Sequence, residues 1–266
     1  MENKSKELEI AIKAALEAGK ILEKYFETEI LKEFKEDDSI VTKADSESEE
    51  LIKKIILEAF PEHSILAEET GHTDNGGKYV WHVDPIDGTR NFANGLPFFA
   101  VSIALLHENQ VLVAVVYNPI TRSLFIAEKG KGSYLNNKRI FVSKDGATRA
   151  ILAAGKSRKL EDRRLFRNLI HYLPKKISGM TVRDMGVCSL DLAYVATGAF
   201  EVSVQIGLRS YDFAAGTLLI QEAGGKITKF DGSPWEFPGN YFIASNGVFH
   251  EEVIAEIKNQ KETLNI

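Results

Sequence analysis

Apolar residues recur along this chain with two different periods, and the change of period outlines the elements. Leu8, Ile12, Ala15, Leu22 and Phe26 fall on one stripe at helical spacing with lysine and glutamate around them, which predicts a packing helix over residues 5–27. Residues 32–45 are polar. Ser46 to Glu49 has Ser-x-x-Glu spacing, so a second helix is expected to open there and run to about Phe60, with Pro61 just past its end. Ser64 to Glu69 is a short strand-like run ending in two acids, and residues 70–78 form a glycine-rich loop leading into an apolar strand that reaches Asp84.

From Phe98 to about Phe141 the pattern alternates. Strands are expected at 101–106, 110–117, 123–127 and 133–140, separated by Glu-Asn, Asn-Pro, Lys-Gly and Asn-Asn turn signals, which together make an antiparallel meander. After Gly146 the order becomes strand (150–154), helix (160–173), strand (179–183), helix (189–197), strand (201–206) and helix (213–223). Strands near 226–230 and 241–244 follow, and then a closing helix at 248–260. Such alternation implies a second layered α/β unit. No repeat or long linker separates the halves, so the expectation is one domain over 1–266 with two subdomains, about 1–145 and about 146–266.

Composition narrows the class. The 266 residues are enough for a large core, and 44% hydrophobic with 27% charged residues is the balance of an ordinary globular protein. A net charge of −5 argues against non-specific binding to nucleic acid or anionic lipid, and a site for an anionic substrate would then need a cation. The single cysteine, Cys188, can form neither an intramolecular disulfide nor a cysteine-based zinc cluster, and there is no apolar signal core or membrane-length run; the expectation is a soluble cytoplasmic protein with no membrane or nucleic-acid partner.

The densest chemistry lies in Trp81-His82-Val83-Asp84-Pro85-Ile86-Asp87-Gly88-Thr89-Arg90-Asn91-Phe92. Asp84 and Asp87 leave a strand end three residues apart across a proline, which aims two carboxylates at one spot. Gly88 and Thr89 add unpaired N–H groups at the start of the next element, suited to a phosphate oxygen. A plain turn with a helix cap accounts for the same residues taken alone. Three more acids stand where elements begin or end: Asp45, Glu68 and Asp212. Carboxylates without a His or Cys cluster point to Mg²⁺ rather than zinc, although Asp45 and Asp212 are also good helix caps and Glu68 a plausible solvated loop residue. Gly155-Lys156-Ser157 lacks the first glycine of a phosphate-binding loop, His82 reads as strand packing, and Lys175-Lys176 and Arg163-Arg164 read as solvated faces.

Together, Glu68-Glu69, the stretch Asp84 to Phe92, Tyr211-Asp212-Phe213-Ala214-Ala215-Gly216 and Glu222-Ala223-Gly224-Gly225 resemble the motifs of the inositol monophosphatase family of Mg²⁺-dependent phosphatases. Val41-Thr42-Lys43-Ala44-Asp45 resembles its upstream V-T-x-x-D segment, and order and spacing match from about residue 8 to 258. The resemblance implies an α+β or α/β layered sandwich (α/β/α/β/α) like that of inositol monophosphatase and fructose-1,6-bisphosphatase, and a homodimer. It implies two to three Mg²⁺ ions: one held by Glu68, Asp84 and the Ile86 carbonyl, a second by Asp84, Asp87 and Asp212, and a weaker third near Glu68. Glu68 with Thr89, assisted by Asp45, would orient the attacking water, and the N–H groups of Gly88 and Thr89 would meet phosphoryl oxygens. Lys35 is the candidate basic residue of the family's mobile loop.

On the substrate side Gln205 stands where inositol-specific members carry a glutamate, Cys188 lies in a substrate-facing turn or is a buried helix-start thiol, and Arg209 and Arg183 are candidates for a second phosphate, Arg183 equally for a structural ion pair. The expected substrate is a small phosphorylated polyol or sugar, foremost myo-inositol monophosphate, with lithium inhibition as a family trait. The alternatives are fructose-1,6-bisphosphatase activity alone or alongside the first, a histidinol phosphatase, a nucleotide phosphatase, which would more often carry an acid at Asn91, and a non-catalytic regulatory binding protein.

Overall fold

The structure is a computed structural model that describes residues 4–26, 32–34, 40–144, 150–157 and 159–264. Helix α1 (Lys6–Phe26) is followed by a two-stranded ribbon, β1 (Lys32–Phe34) and β2 (Ile40–Thr42), and by α2 (Lys43–Ala59). Next come β3 (Ser64–Ala67), β4 (Gly71–Thr73), β5 (Tyr79–Asp87), the short α3 (Thr89–Ala93), β6 (Ala100–His107), β7 (Gln110–Asn118), β8 (Ser123–Glu128), β9 (Gly132–Leu135) and β10 (Lys138–Ile140). The rest of the chain forms β11 (Ile151–Lys156), α4 (Leu160–Lys176), β12 (Thr181–Arg183), α5 (Cys188–Ala196), β13 (Val202–Ile206), α6 (Ser210–Glu222), β14 (Lys226–Thr228), β15 (Tyr241–Ser245) and α7 (His250–Leu264).

The first sheet has eight strands in the order β10-β9-β8-β7-β6-β5-β3-β4, antiparallel except where β3 runs parallel to β5; the second has five in the order β12-β11-β13-β15-β14 and is mixed. The long strands β5, β6 and β7 are buried almost continuously along their length, which requires cover on both faces of the sheet. One face of the large sheet packs on α1 and α2 through Leu8, Ile52, Trp81 and Ile103. Its other face packs on α5 and α6 through Ala104, Val116, Leu192 and Leu219, a core that also takes in Phe242 and Ala244 of the small sheet. The far face of the small sheet is covered by α4 and α7 through Leu169, Val204 and Ile257. The layers therefore run α/β/α/β/α, and the central helices α5 and α6 are buried on both sides. That is why their apolar positions show no stripe.

Several boundaries depart from the periodic pattern, each for a local reason. Helix α2 opens at Lys43 rather than Ser46, because Thr42 is its N-cap and Asp45, at the third helical position, accepts from the Thr42 N–H (2.7 Å). Glu49 does not close a box with Ser46; its carboxylate accepts the N–H groups of Glu69 (2.8 Å) and Thr70 (2.9 Å) instead. The supposed loop at 70–78 contains β4, antiparallel to β3. The expected strand at 133–140 is a hairpin, since Asn136 and Asn137 adopt positive φ of 45° and 68° and reverse the chain between β9 and β10. Helix α6 starts at Ser210, three residues early, again with an acid, Asp212, turned back to its cap.

Candidate active site

Strand β5 does not stop at Asp84. It continues through Pro85 to Asp87, with Asp84 opposite Ser102 and Asp87 opposite Ala100 on β6 and a register shift between the two pairs. Proline, lacking an N–H, fits where the ladder is interrupted. The bulge delivers Asp84, the Ile86 carbonyl and Asp87 to one place, followed by Gly88 at φ 94°. A Cβ on Gly88 would sit 2.7 Å from Val187 Cγ2, so both backbone conformation and neighbour select glycine.

A cavity of about 180 Å³ opens at this turn, lined by Glu68, Asp84, Ile86, Asp87, Gly88 and Thr89 from the large-sheet side and by Gly155, Lys156, Asp184, Cys188, Leu208 and Asp212 from the other. Glu68 follows β3 directly, its N–H bonded to the Val83 carbonyl of β5 (3.1 Å), and the buried Glu49 fixes the next two residues. Asp212 arrives from the first turn of α6. Each of three acids has one oxygen committed to a backbone N–H: Asp84 Oδ1 to Ile86 (2.9 Å), Asp87 Oδ2 to Ser189 (2.6 Å) and Asp212 Oδ2 to Arg209 (2.8 Å). These bonds orient the carboxylates toward the cavity while a second oxygen remains for a ligand.

Asp45 lies behind the cavity, fully buried. Its Oδ2 accepts from the Thr42 hydroxyl (2.7 Å), and its Oδ1 is 3.3 Å from Thr89 Oγ1, which is also 3.0 Å from the Ile86 carbonyl oxygen. Burial pushes the Asp45 carboxyl up to about 7, against the two Thr42 hydrogen bonds, which favour its charged form. Burial also raises Asp87 to about 7, opposed by the Ser189 bonds, and carries Asp84 and Asp212 well above the usual carboxylate range, with neighbouring acids adding to both. Glu68 stands first among the neighbouring acids that raise Asp84, a repulsion that a cation between them would relieve.

Among the described residues no three His, Cys, Asp or Glu side chains form a ready-made metal cage. The donor set nevertheless fits a hard divalent cation: carboxylates and a carbonyl, with no imidazole, surround one cavity and disfavour each other's charge in its absence. Cys188 lines the same space, but burial and the surrounding acids push its thiol well above the ordinary value, so it stays protonated and is a poor metal ligand.

Other candidates fall elsewhere. Gln205 is fully buried and does not line the cavity: its Nε2 donates to Ser203 Oγ (2.7 Å), and its Oε1 lies so close behind Gly155 that a Cβ there would collide with it. Arg209 is exposed and outside the cavity wall, as is Arg183, whose guanidinium donates to the Val182 carbonyl (3.0 Å). Lys35 lies outside the described residues. His82 is buried against Phe237 with its ring held neutral, its pKa lowered to about 4 by burial. Asn91 donates to the carbonyls of Phe98 and Met185, both at 2.8 Å, and so ties the turn to both halves of the chain. Lys156, set aside with the incomplete phosphate-loop motif, is in the cavity wall. Its place between the expected strand at 150–154 and the helix at 160–173 was the available signal.

The model of the inositol monophosphatase family matches residues 3–262. A protein of Aquifex aeolicus named fructose-1,6-bisphosphatase/inositol-1-monophosphatase is 35% identical, the match covering 98% of this chain and 99% of that one. Nus factor SuhB of Escherichia coli is 38% identical over 90% of this chain and 89% of its own. Among solved structures, a Thermotoga maritima IMPase superposes with a TM-score of 0.88 at 31% identity, covering 97% of this chain and 98% of that one.

Proposed function

The chain belongs to the inositol monophosphatase family of phosphatases, and from that premise we propose that it hydrolyses a small phosphomonoester with Mg²⁺ as cofactor, most readily myo-inositol monophosphate. The observation that carries this is the convergence of Glu68, Asp84, the Ile86 carbonyl, Asp87 and Asp212, drawn from three distant parts of the chain, on one cavity. Glu68, Asp84 and Ile86 would hold one ion and Asp84, Asp87 and Asp212 a second, with a weaker third beside Glu68. Mg²⁺ bound there supplies positive charge that acidifies water and offsets charge on the phosphoryl group.

The protein's own groups do the positioning. Glu68 accepts a proton from the attacking water, and the Thr89 hydroxyl, held between Asp45 and the Ile86 carbonyl, fixes its direction. Asp45, buried and shifted to about 7, is poised to take that proton onward near neutral pH. Water attacks phosphorus in line, the ester oxygen leaves and is protonated from solvent, and no phosphoenzyme forms. The N–H groups of Gly88 and Thr89 receive the phosphoryl oxygens. Cys188 lines the leaving-group side as a neutral small residue. Gln205 and Arg209 stand outside the cavity wall, and Arg209 serves the site through its backbone N–H, which orients Asp212.

Fructose-1,6-bisphosphatase activity is the second reading, favoured by the name of the Aquifex relative. A non-catalytic regulatory role, suggested by relatives named Nus factor SuhB, is disfavoured by the retention of every acid in the cavity. The same proposal includes a homodimer, a cytoplasmic setting, no nucleic-acid or membrane partner and lithium inhibition; no helix among the described residues is long and apolar enough to cross a membrane. Phosphate release from inositol 1-phosphate, fructose 1,6-bisphosphate, histidinol phosphate and a nucleotide 3′-phosphate, with and without Mg²⁺ and Li⁺, tests it. Absence of Mg²⁺-dependent release from all four would refute it.

A further inference from the structure

The leaving-group side of the cavity is built by the C-terminal ends of parallel strands. Strands β12, β11 and β13 run side by side in one direction; Lys156 is the last residue of β11, and Asp184 and Leu208 lie just past the ends of β12 and β13, all three in the cavity wall. Crevices at the carboxyl ends of parallel strands are where ligands enter layered α/β folds. Lys156 is the only cationic side chain lining the cavity among the described residues, against five acids: Glu68, Asp84, Asp87, Asp184 and Asp212.

Four of those acids belong to the proposed metal site. The fifth, Asp184, is 2.8 Å from Lys156 Nζ, and the ammonium also stands 3.8 Å from the centre of the Phe166 ring. Phe166 is itself buried, so the Lys156 stem has a fixed base and its charge is held at the opening. The pair is not sealed off: the Lys156 side chain is 29% exposed and that of Asp184 46%. Such a pair is weakly held, and an incoming anion can replace the carboxylate, which turns out to water at little cost. A neutral polyol gains nothing from that exchange, whereas a leaving group carrying its own phosphate gains a charge-assisted contact.

We propose that Lys156 is a specificity-determining residue that binds a second phosphate on the substrate's leaving group, with Asp184 as the partner it exchanges. The substrates then include sugar or polyol bisphosphates beside the monophosphate. This rests on the phosphatase reading above and adds to it the residue that selects the substrate.

The test compares kcat/KM for fructose 1,6-bisphosphate with that for inositol 1-phosphate, in Mg²⁺, for the full-length protein and for Lys156→Met and Asp184→Asn. Methionine keeps the packing on Phe166 and removes only the charge. The bisphosphate-to-monophosphate ratio should fall about tenfold in K156M, through a higher KM, because a charged hydrogen bond of that net strength is lost. In D184N the ratio should rise, since Lys156 no longer has a competing partner. A K156M ratio within about threefold of wild type, a fall carried by kcat, or a lower ratio in D184N overturns the inference. A wild-type protein that hydrolyses inositol 1-phosphate but not the bisphosphate overturns this inference alone. One inert toward both overturns the phosphatase reading as well.

Discussion

Asp87 Oδ2 accepts a 2.6 Å hydrogen bond from the Ser189 backbone N–H, 102 residues further along the chain. The bond puts an anionic side chain at the N-terminal turn of α5, where the unpaired N–H groups of a helix favour it. It joins the β5 bulge of the large sheet to the helical layer shared with the small one. A single carboxylate thus spends one oxygen on structure and leaves the other for the proposed metal. In Asp87→Asn the remaining carbonyl oxygen can still accept from Ser189, while the metal loses an anionic ligand. The expected outcome is a loss in kcat of roughly 10³-fold, the order of several kcal/mol of lost charge stabilisation, with near-UV and far-UV circular dichroism unchanged. Retained activity would show that Asp87 serves only as a helix anchor.

Thr89 separates positioning from binding. Its hydroxyl is 3.0 Å from the Ile86 carbonyl oxygen and 3.3 Å from Asp45 Oδ1, and no other side chain near the turn duplicates this bridge among the described residues. Thr89→Ala should lower kcat by about 10²–10⁴-fold, the span of one acid–base relay, with a much smaller change in KM; Thr89→Ser should recover most of it. Steady-state kinetics on all three proteins decide the point, and equal losses in Ala and Ser would exclude a role for the hydroxyl.

Gly216 lies against α5, where a Cβ would meet both Cβ and Cδ1 of Leu192 at 2.5 Å. Helices α5 and α6 carry Ser189 and Asp212, so forcing them apart disturbs packing and site together. Gly216→Ala is expected to cost about 1–3 kcal/mol of stability, as overpacking of a dense core does. Urea unfolding should register it as an earlier midpoint, with a fall in Mg²⁺ affinity measured by calorimetry.

Asp191 on α5 is fully buried, and neither of its carboxyl oxygens has a hydrogen-bond partner among the described residues. Burial first, then the charges of Asp87 and Asp184, raise it well above its ordinary value of 3.8. The folded state therefore binds a proton that the unfolded chain releases. Its stabilising effect is complete below pH 3.8 and is lost as pH rises from there toward the folded value. Asp191→Asn should flatten the decline in stability over that range by up to one proton's worth, about 1.4 kcal/mol per pH unit. Urea titrations of both proteins from pH 5 to 8 give the slopes, and identical slopes would mean that Asp191 is not protonated on folding.

Much of this was legible in the sequence because period and motif agree there. The α1 stripe, the meander from β6 to β8 and the α/β alternation after residue 150 follow from side-chain spacing alone. Asp45 and Asp212 show what spacing conceals. Cap and functional group looked like rival roles, yet each of these acids spends one oxygen on its helix's cap residue and has another to offer. Glu49 was missed because its partners, Glu69 and Thr70, are brought to it only by the packing of α2 on the sheet. Lys156 was missed because its surroundings come from the segment after β12 and from α4. Gln205, adjacent in register to Gly155, points into the wall rather than the cavity, a distinction that depends on how the strand sits against its neighbours.

The most direct measurement is inorganic phosphate release from inositol 1-phosphate by the chelator-treated protein as Mg²⁺ is added back, run beside Asp84→Asn. Release that is absent in chelator, returns saturably with Mg²⁺ in the wild type and stays at least about 10²-fold lower in the variant is the predicted result. Release that ignores chelator, or that Asp84→Asn leaves intact, would contradict a metal-dependent reaction at this cavity.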